Sequence, residues 1–238
     1  MVTGVRAVVI GAAGGIGTAL VAALQASARF EHVHALSRHP SPDTDSVSGG
    51  VIDVTDEASI RAAAEQIGSP LDLVIVATGI LHEDGRMPEK ALRELDGAAL
   101  ARIFQINTIG PALVLKHFAL LLAKDRRTVV AALSARVGSI SDNRSGGWYG
   151  YRASKAALNM IVKSAAIELR RSRPQAICVA LHPGTVDTAL SKPFQARVPA
   201  DKLFAARFSA DELLALLAGL GPEDTGEIFA WDGARIQP

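Results

Sequence analysis

The features this chain lacks narrow it first. Its 238 residues include one cysteine, Cys178, so no disulfide can form within it. Cys178 lies in the apolar run Ala176 to Leu181, where a buried, inert thiol in a strand is expected. Neither charge dominates: 25 Lys and Arg face 24 Asp and Glu, a formal charge of +1. A nucleic-acid binder normally carries a basic excess or stripe. The short clusters Arg126-Arg127 and Arg170-Arg171 with Arg173 suit helix C-terminal ends instead. No Cys/His constellation has metal spacing. His32 and His34 alternate along one segment, but no third ligand accompanies them. Long apolar runs are also missing. The longest, Pro111 to Ala123, contains Lys116 and His117 and falls short of the ~20 residues that span a bilayer. The first apolar run is short and leads into a glycine-rich loop, unlike a signal peptide. A cytoplasmic protein without nucleic-acid, membrane or metal partners is expected. No repeat or linker divides the chain, and a hydrophobic content of 49% supports a core. One domain over residues 1–238 is expected.

Strand and helix patterns alternate along the sequence. Residues 5 to 10 (Val-Arg-Ala-Val-Val-Ile), Val33 to Ser37, Gly50 to Val54, Leu71 to Ala77, Thr128 to Leu133, Ala176 to Leu181 and Glu227 to Trp231 read as strands. Helices are predicted at Thr18 to Ala28, Asp56 to Ile67 with Thr55 as N-cap, Ala98 to Lys124, Tyr151 to Arg171 and Ala210 to Leu217. Pro111 should bend or interrupt the third of these. The alternation predicts an α/β fold: a doubly wound, Rossmann-like parallel sheet with helices on both faces. Pro40 to Gly50 reads as a flexible loop, and Asp187 to Ser209 as a lid over a substrate.

Gly11-Ala-Ala-Gly14-Gly15-Ile16-Gly17 sits between the first strand and the first helix. Glycines there permit a tight turn and close backbone approach to a pyrophosphate, which the free N–H groups of a helix start favour. Far along the chain, Tyr151 and Lys155 stand four residues apart in a helical segment, so both leave one face. A tyrosine's ordinary pKa of about 10 is too high for proton exchange near neutrality. A neighbouring ammonium favours the phenolate and should lower it, giving a tuned acid/base.

Together these two segments resemble the short-chain dehydrogenase/reductase family, with its Gly-x-x-x-Gly-x-Gly and Tyr-x-x-x-Lys motifs. Gly11, Gly15 and Gly17 fit the first, although Ile10 stands where the family often has threonine. Asn107 matches the family's helix asparagine, and Pro183-Gly184-Thr185-Val186-Asp187-Thr188 its Pro-Gly-x-Val-x-Thr segment. Ser134-Ala-Arg-Val-Gly-Ser-Ile and the stretch Gly146 to Asn159 are similar to the active-site segment of the C-factor-like subgroup. The resemblance covers essentially the whole chain.

The resemblance implies hydride transfer between a nicotinamide cofactor and a carbonyl or alcohol. Tyr151 would be the general acid/base. Lys155 would lower its pKa and hold the nicotinamide ribose, and Asn107 would connect a water chain to Lys155. A serine would hold the substrate oxygen. The family's usual position falls on Ala135, which has no hydroxyl, so Ser134 is chosen and Ser139 stays open. Cofactor contacts are expected from Gly11, Gly14, Gly15, Ile16, Gly17, Ser37, Arg38, Asp53, Val54, Thr78, Gly79, Pro183, Gly184, Val186 and Thr188, besides Asn107, Tyr151 and Lys155. Val76-Ala77-Thr78-Gly79 replaces the family's Asn-Asn-Ala-Gly, and Thr78 is the candidate for the lost hydrogen bonds. Asp53 could contact adenine, cap the next turn, or both. Leu36-Ser37-Arg38 ends the second strand without an acidic residue. Arginine's fixed fork of donors suits a 2′-phosphate, so NADP(H) is expected in preference to NAD(H). Trp148, Phe194, Phe204 and Phe208 are candidates for an apolar substrate pocket. The family also implies a homodimer or homotetramer. The alternative reading is a cofactor-binding signalling or regulatory protein with little turnover.

Overall fold

The computed structural model describes residues 4–68, 70–83 and 85–238; residues 1–3 of the expected domain lie outside the described residues. Seven strands form one parallel sheet: β1 (Arg6–Ile10), β2 (His32–Ser37), β3 (Val47–Val51), β4 (Leu73–Val76), β5 (Thr128–Leu133), β6 (Ala176–His182) and β9 (Ile228–Ala230). Their order is β3-β2-β1-β4-β5-β6-β9. The chain winds outward from β1 to β3, then returns to place β4 against the other side of β1. That reversal opens a crevice at the carboxyl ends of β1 and β4, where such sheets take ligands. A small ladder joins β7 (Thr185–Val186) to β8 (Leu203–Phe204).

The helices are α1 (Gly15–Ala26), α2 (Glu57–Ile67), α3 (Gly97–Phe104), α4 (Gly110–Phe118), α5 (Tyr149–Ser172) and α6 (Ala206–Gly219). Strand alternation sends side chains to opposite faces. Ala7 and Val9 join Leu20, Leu24 and Leu213 beneath α1 and α6, whereas Val8 and Ile10 join Ile60, Phe118 and Leu158 beneath α2, α4 and α5. Every residue of β4 and β5 is buried, as expected for strands covered on both faces. Burying one large apolar side chain contributes roughly 1.5–3 kcal/mol, so these two layers are the main source of stability.

Local chemistry adjusts several expected boundaries. The third strand is Val47–Val51, not Gly50 to Val54, and it takes in most of the tail of the expected Pro40–Gly50 loop. Its Ser48-Gly49-Gly50 core has no apolar alternation to read. A Cβ on Gly49 would collide with the Ser41 carbonyl oxygen, so the glycine is there for close backbone approach. The cap of α2 is Asp56, whose carboxylate accepts from Ala58 N at 2.9 Å. Thr55, the expected cap, gives its hydroxyl to Asp53 instead. The long helix predicted at Ala98 to Lys124 is divided by a π-helical turn, Gln105–Ile109. Pro111 has no N–H to give the carbonyl of Asn107 four residues back, and the wider turn accommodates that missing bond. Gly97–Leu121 has a mean hydropathy of 1.4 and is long enough to cross a membrane by itself; here Val114 and Phe118 of that stretch are fully buried against the sheet. The expected lid, Asp187 to Ser209, is partly ordered by β8, by two 3-10 turns and by the start of α6.

Both outer strands of the sheet are covered. On β3, Gly49 N donates to the Asp43 carboxylate at 2.7 Å. On β9, the following residues fold back: Ala230 N donates to Ala234 O and Ile236 N to Ile228 O, each at 2.8 Å. His32 and His34 point the same way from β2 and share the Ser48 hydroxyl, each at 2.9 Å. Among the described residues no three His, Cys, Asp or Glu converge as metal ligands.

Candidate active site

Strand ends place the sequence-predicted residues along one edge. A cavity of about 310 Å³ is lined by Gly11, Gly14, Ser37, Arg38, Asp53, Val54, Thr78 and Gly79. A second, of about 450 Å³, is lined by Ile16, Ser134, Tyr151, Pro183, Gly184, Val186 and Thr188. Gly15, Gly17, Asn107 and Lys155 line neither; Gly17, Asn107 and Lys155 are buried, and Gly15 is exposed on the turn. A separate cavity of about 390 Å³, lined by Leu24, Phe30, Asp72 and Arg126 among others, holds none of the predicted residues.

The glycine turn is shaped by close contact. Gly11 has a φ of +89°, a conformation glycine adopts without strain. Its N–H and that of Ala12 donate to Leu36 O at 2.8 and 3.0 Å, tying the turn to β2. The first bond of α1 runs from Thr18 N to Gly14 O. The N–H groups of Gly15, Ile16 and Gly17 therefore begin a helix with no intrahelical acceptor, which is an anion-binding arrangement. A Cβ on Gly17 would collide with the Gly11 carbonyl oxygen, and one on Gly15 would come 2.7 Å from the Thr188 methyl. Thr188 thus closes over the turn from the far side.

Around the same cleft, the Thr78 hydroxyl is enclosed and has no hydrogen-bond partner among the described residues. It does not replace the bracing that asparagine would give. Arg38 is exposed at the end of β2 and makes no hydrogen bond or ion pair with the described residues. Asp53 accepts from Thr55 N at 2.8 Å and from its hydroxyl at 2.7 Å. Those bonds from Thr55, backbone first, hold its pKa below the usual carboxylate value. Capping is therefore one of its roles. The sequence reading did not single out the neighbouring fork of Arg102 on Glu83, at 2.9 and 3.0 Å.

Asn107 connects the two halves of the site. It is fully buried in the π-helical turn. Its Oδ1 accepts from Ile80 N and its Nδ2 donates to Ile80 O, both at 2.8 Å. Nδ2 also donates to the Ser154 hydroxyl at 3.1 Å, and Ser154 in turn donates to Tyr151 O at 2.8 Å. Ser154 was not among the sequence-predicted residues, because a small hydroxyl inside a helix carries no pattern of its own. A Cβ on Gly79 would lie 3.4 Å from both Asn107 Oδ1 and Lys155 Nζ, so these groups flank the same backbone.

Lys155 Nζ donates to Leu133 O at 2.8 Å and sits 5.9 Å from the Tyr151 ring centroid. The expected fall in the tyrosine pKa is not found. Burial pushes Tyr151 up to about 12 and Lys155 down to about 8, because a low-dielectric interior disfavours both charged forms. The Tyr151 hydroxyl makes no hydrogen bond to the described residues, and the residue lines the larger cavity.

The two serines separate. Ser134 lines the larger cavity but donates to Asn159 Oδ1 at 2.6 Å. Ser139 is buried elsewhere, against Ser141 and the Asp142 N–H. Ala135 lines the cavity without a hydroxyl. His182, also on that wall, has an enclosed Nδ1 with no partner among the described residues. Burial holds its pKa down to about 4, so the ring is neutral. Of the four aromatic candidates, Trp148 and Phe194 line the cavity, with ring centroids 5.0 Å apart. Phe204 and Phe208 do not; they pack on Trp231 at 4.5 and 5.5 Å.

A family profile described as short chain dehydrogenase matches residues 6–198. The chain belongs to the short chain dehydrogenase family. Within this family it is 38% identical to the C-signal of Myxococcus xanthus over 147 residues, which is 61% of this chain and 82% of that protein. It is 32% identical to the 1-hydroxy-2-glutathionyl-2-methyl-3-butene dehydrogenase of Rhodococcus sp. (strain AD45) over 189 residues, 78% of each chain. The solved structure of an NADPH bound carbonyl reductase from chicken fatty liver superimposes with a TM-score of 0.84 at 26% identity, over 99% of this chain and 95% of that one. These findings agree with the C-factor-like resemblance and the Rossmann-like fold. Membership carries a dehydrogenase/reductase role on a small molecule with a nicotinamide cofactor.

The crowding at Gly17 gives a prediction of decisive sign. In an open helix, alanine would stabilise by roughly 1 kcal/mol over glycine. Here Gly17→Ala should lower the melting temperature and weaken nicotinamide dinucleotide binding more than tenfold, read by thermal denaturation and calorimetric titration.

Proposed function

We propose that the chain is a single-domain, NADP(H)-dependent oxidoreductase interconverting a carbonyl and a secondary or primary alcohol, with Tyr151 as general acid/base. The observation that carries this reading is the unpaired Tyr151 hydroxyl beside a 450 Å³ cavity, backed by the Lys155 ammonium and adjoining the glycine cleft. The helix-start N–H groups of Gly15 to Gly17 would take the pyrophosphate, and Thr78, Gly79, Pro183, Gly184, Val186 and Thr188 would frame the rest. Bound there, the cofactor supplies the hydride.

Tyr151 would give its proton to the carbonyl oxygen in reduction and take one back in oxidation. A pKa of about 8 leaves Lys155 mostly protonated at pH 7, so its charge is available to favour the phenolate and draw the Tyr151 pKa down toward neutral pH. Replacing the proton calls for a path inward. The Asn107 carbonyl, to which Pro111 cannot donate, is the acceptor that a water between Asn107 and Lys155 would use. Ser134 lines the same cavity as Tyr151 and would hold the substrate oxygen; turning the Asn159 amide over would free its hydroxyl to donate. Arg38 makes no hydrogen bond or ion pair with the described residues, feels the nearby charges of Asp53 and Glu83, and suits the 2′-phosphate of NADP(H). The chicken carbonyl reductase similar to this chain has NADPH bound, which supports the same preference.

A second reading keeps the cofactor and drops the turnover: a signalling or regulatory protein. The similarity to the C-signal and the absence of a hydroxyl at Ala135 favour it. We also propose a homodimer or homotetramer through α3 to α5, where Met160 and Ile167 are exposed.

Three outcomes test these readings. Tyr151→Phe should retain NADPH binding and lower kcat by roughly 10²–10⁴ in assays on aldehydes, ketones and diketones, the range for general acid–base groups. If the wild type itself consumes no NADPH on that panel, the second reading takes over. Arg38→Asp should reverse the ratio of kcat/KM for NADPH over NADH; an unchanged ratio removes the arginine argument. Sedimentation should show two or four copies, and a monomer at all concentrations rejects the assembly.

A further inference from the structure

The larger cavity has an unbalanced charge that the proposed proton and hydride chemistry does not use. Among the described residues, four charged side chains line it: Arg136, Asp142, Arg144 and Arg152. Arg136 and Asp142 cancel as an ion pair at 3.2 Å. Arg144 makes no hydrogen bond or ion pair with any described residue. Arg152, half-buried one position beyond Tyr151, is held by neutral acceptors only. Its Nε donates to the carbonyls of Gly146 and Gly147, at 3.2 and 3.0 Å, and its Nη1 to Val137 O at 3.4 Å. Those bonds orient the guanidinium and leave its charge without a counter-ion. Nη2 has no acceptor among the described residues. These carbonyls use the guanidinium's donors but do not neutralise its charge. His182, on the same lining, is neutral. The rest of the lining includes the apolar side chains of Trp148, Phe194, Leu81 and Leu190.

We propose that the substrate is an oxo or hydroxy acid: an apolar molecule whose reacting carbon faces Tyr151 and whose carboxylate is held by Arg144 and Arg152. This rests on reading the cavity as the substrate site. A carboxylate offers two acceptors in the plane of a guanidinium fork, and such charge-assisted pairs are stronger and more directional than neutral ones. Arg144 is exposed and Arg152 half-buried, so solvent screens the attraction at Arg144 more than at Arg152. Charge complementarity then separates acids from neutral carbonyl compounds of the same shape. The 2′-phosphate of a cofactor is not the anion in question, because Arg38 lies in the other cavity.

The test uses matched probes, 3-acetylbenzoate and 4-acetylbenzoate, each beside its methyl ester. Their binding to the NADP-loaded protein is measured by calorimetry and their reduction by NADPH consumption. At least one acid should bind over tenfold more tightly than its ester and show a correspondingly higher kcat/KM. Arg144→Gln should cut that acid-to-ester ratio about tenfold, Arg144→Lys should restore part of it, and raising the salt from about 0.05 to 0.5 M should shrink it in the wild type. Equal binding of acid and ester, or a ratio unchanged in Arg144→Gln, overturns the proposal. The two readings fail separately. If no probe is reduced but the acid still binds in an Arg144-dependent way, the anion site stands and the reductase reading falls. If esters and neutral ketones are reduced without acid preference, the reverse holds.

Discussion

The paired hydrogen bonds between the Asn107 amide and the backbone of Ile80 hold this site together. The loop after β4 and the helix that carries Tyr151 and Lys155 belong to different crossovers of the sheet. Nothing in the sheet ladder fixes one against the other. The buried Asn107 amide does so by bonding Ile80 and Ser154 at once, with Thr108 on Ser154 O and Glu89 on Gly150 N adding to it. An unsatisfied buried amide would cost several kcal/mol, so the arrangement is held by penalty as much as by attraction. The π-helical turn and Pro111 belong to the same device, since they set the backbone from which that amide reaches inward.

Tyr151 and Lys155 show why geometry and acidity must be considered separately. The helical spacing brings them together, as the motif implies, yet burial alone drives their pKa values in opposite directions, to about 12 and about 8. Each shift disfavours the charged form of its own group. The pair is therefore a reservoir in which the neutral phenol and the ammonium are the resting partners at neutral pH. That suits donation from the phenol, with the ammonium poised to stabilise what donation leaves behind.

Much of this was legible in the sequence because it rests on pattern. The alternation of apolar strands with helical segments gives the parallel sheet, and the glycine spacing gives the turn before α1. The places where reading failed are those where one atom decides. Val47–Val51 hides as a strand because Gly49 and Gly50 carry no side chain to alternate. Asp56 displaces Thr55 as cap because Asp53 has already drawn the threonine hydroxyl away. Phe204 and Phe208 look like pocket residues in a polar segment, but Trp231, remote in sequence, takes them into its own cluster. The tyrosine pKa follows from burial, which no local motif records. Ser154 and His182 matter through partners, or the lack of them, that only the folded chain brings near.

The covered borders of the sheet have a consequence for how copies of the chain can meet. A strand with open N–H and C=O groups recruits another strand, and sheets then grow from molecule to molecule. Here the Asp43 carboxylate occupies a donor on β3, and the returning segment Ala234–Ile236 occupies the far side of β9. The return at β9 caps that border, and the Asp43 carboxylate hinders strand addition at Gly49 of β3. Contacts made instead by helix side chains are of the kind that close into finite, symmetric assemblies.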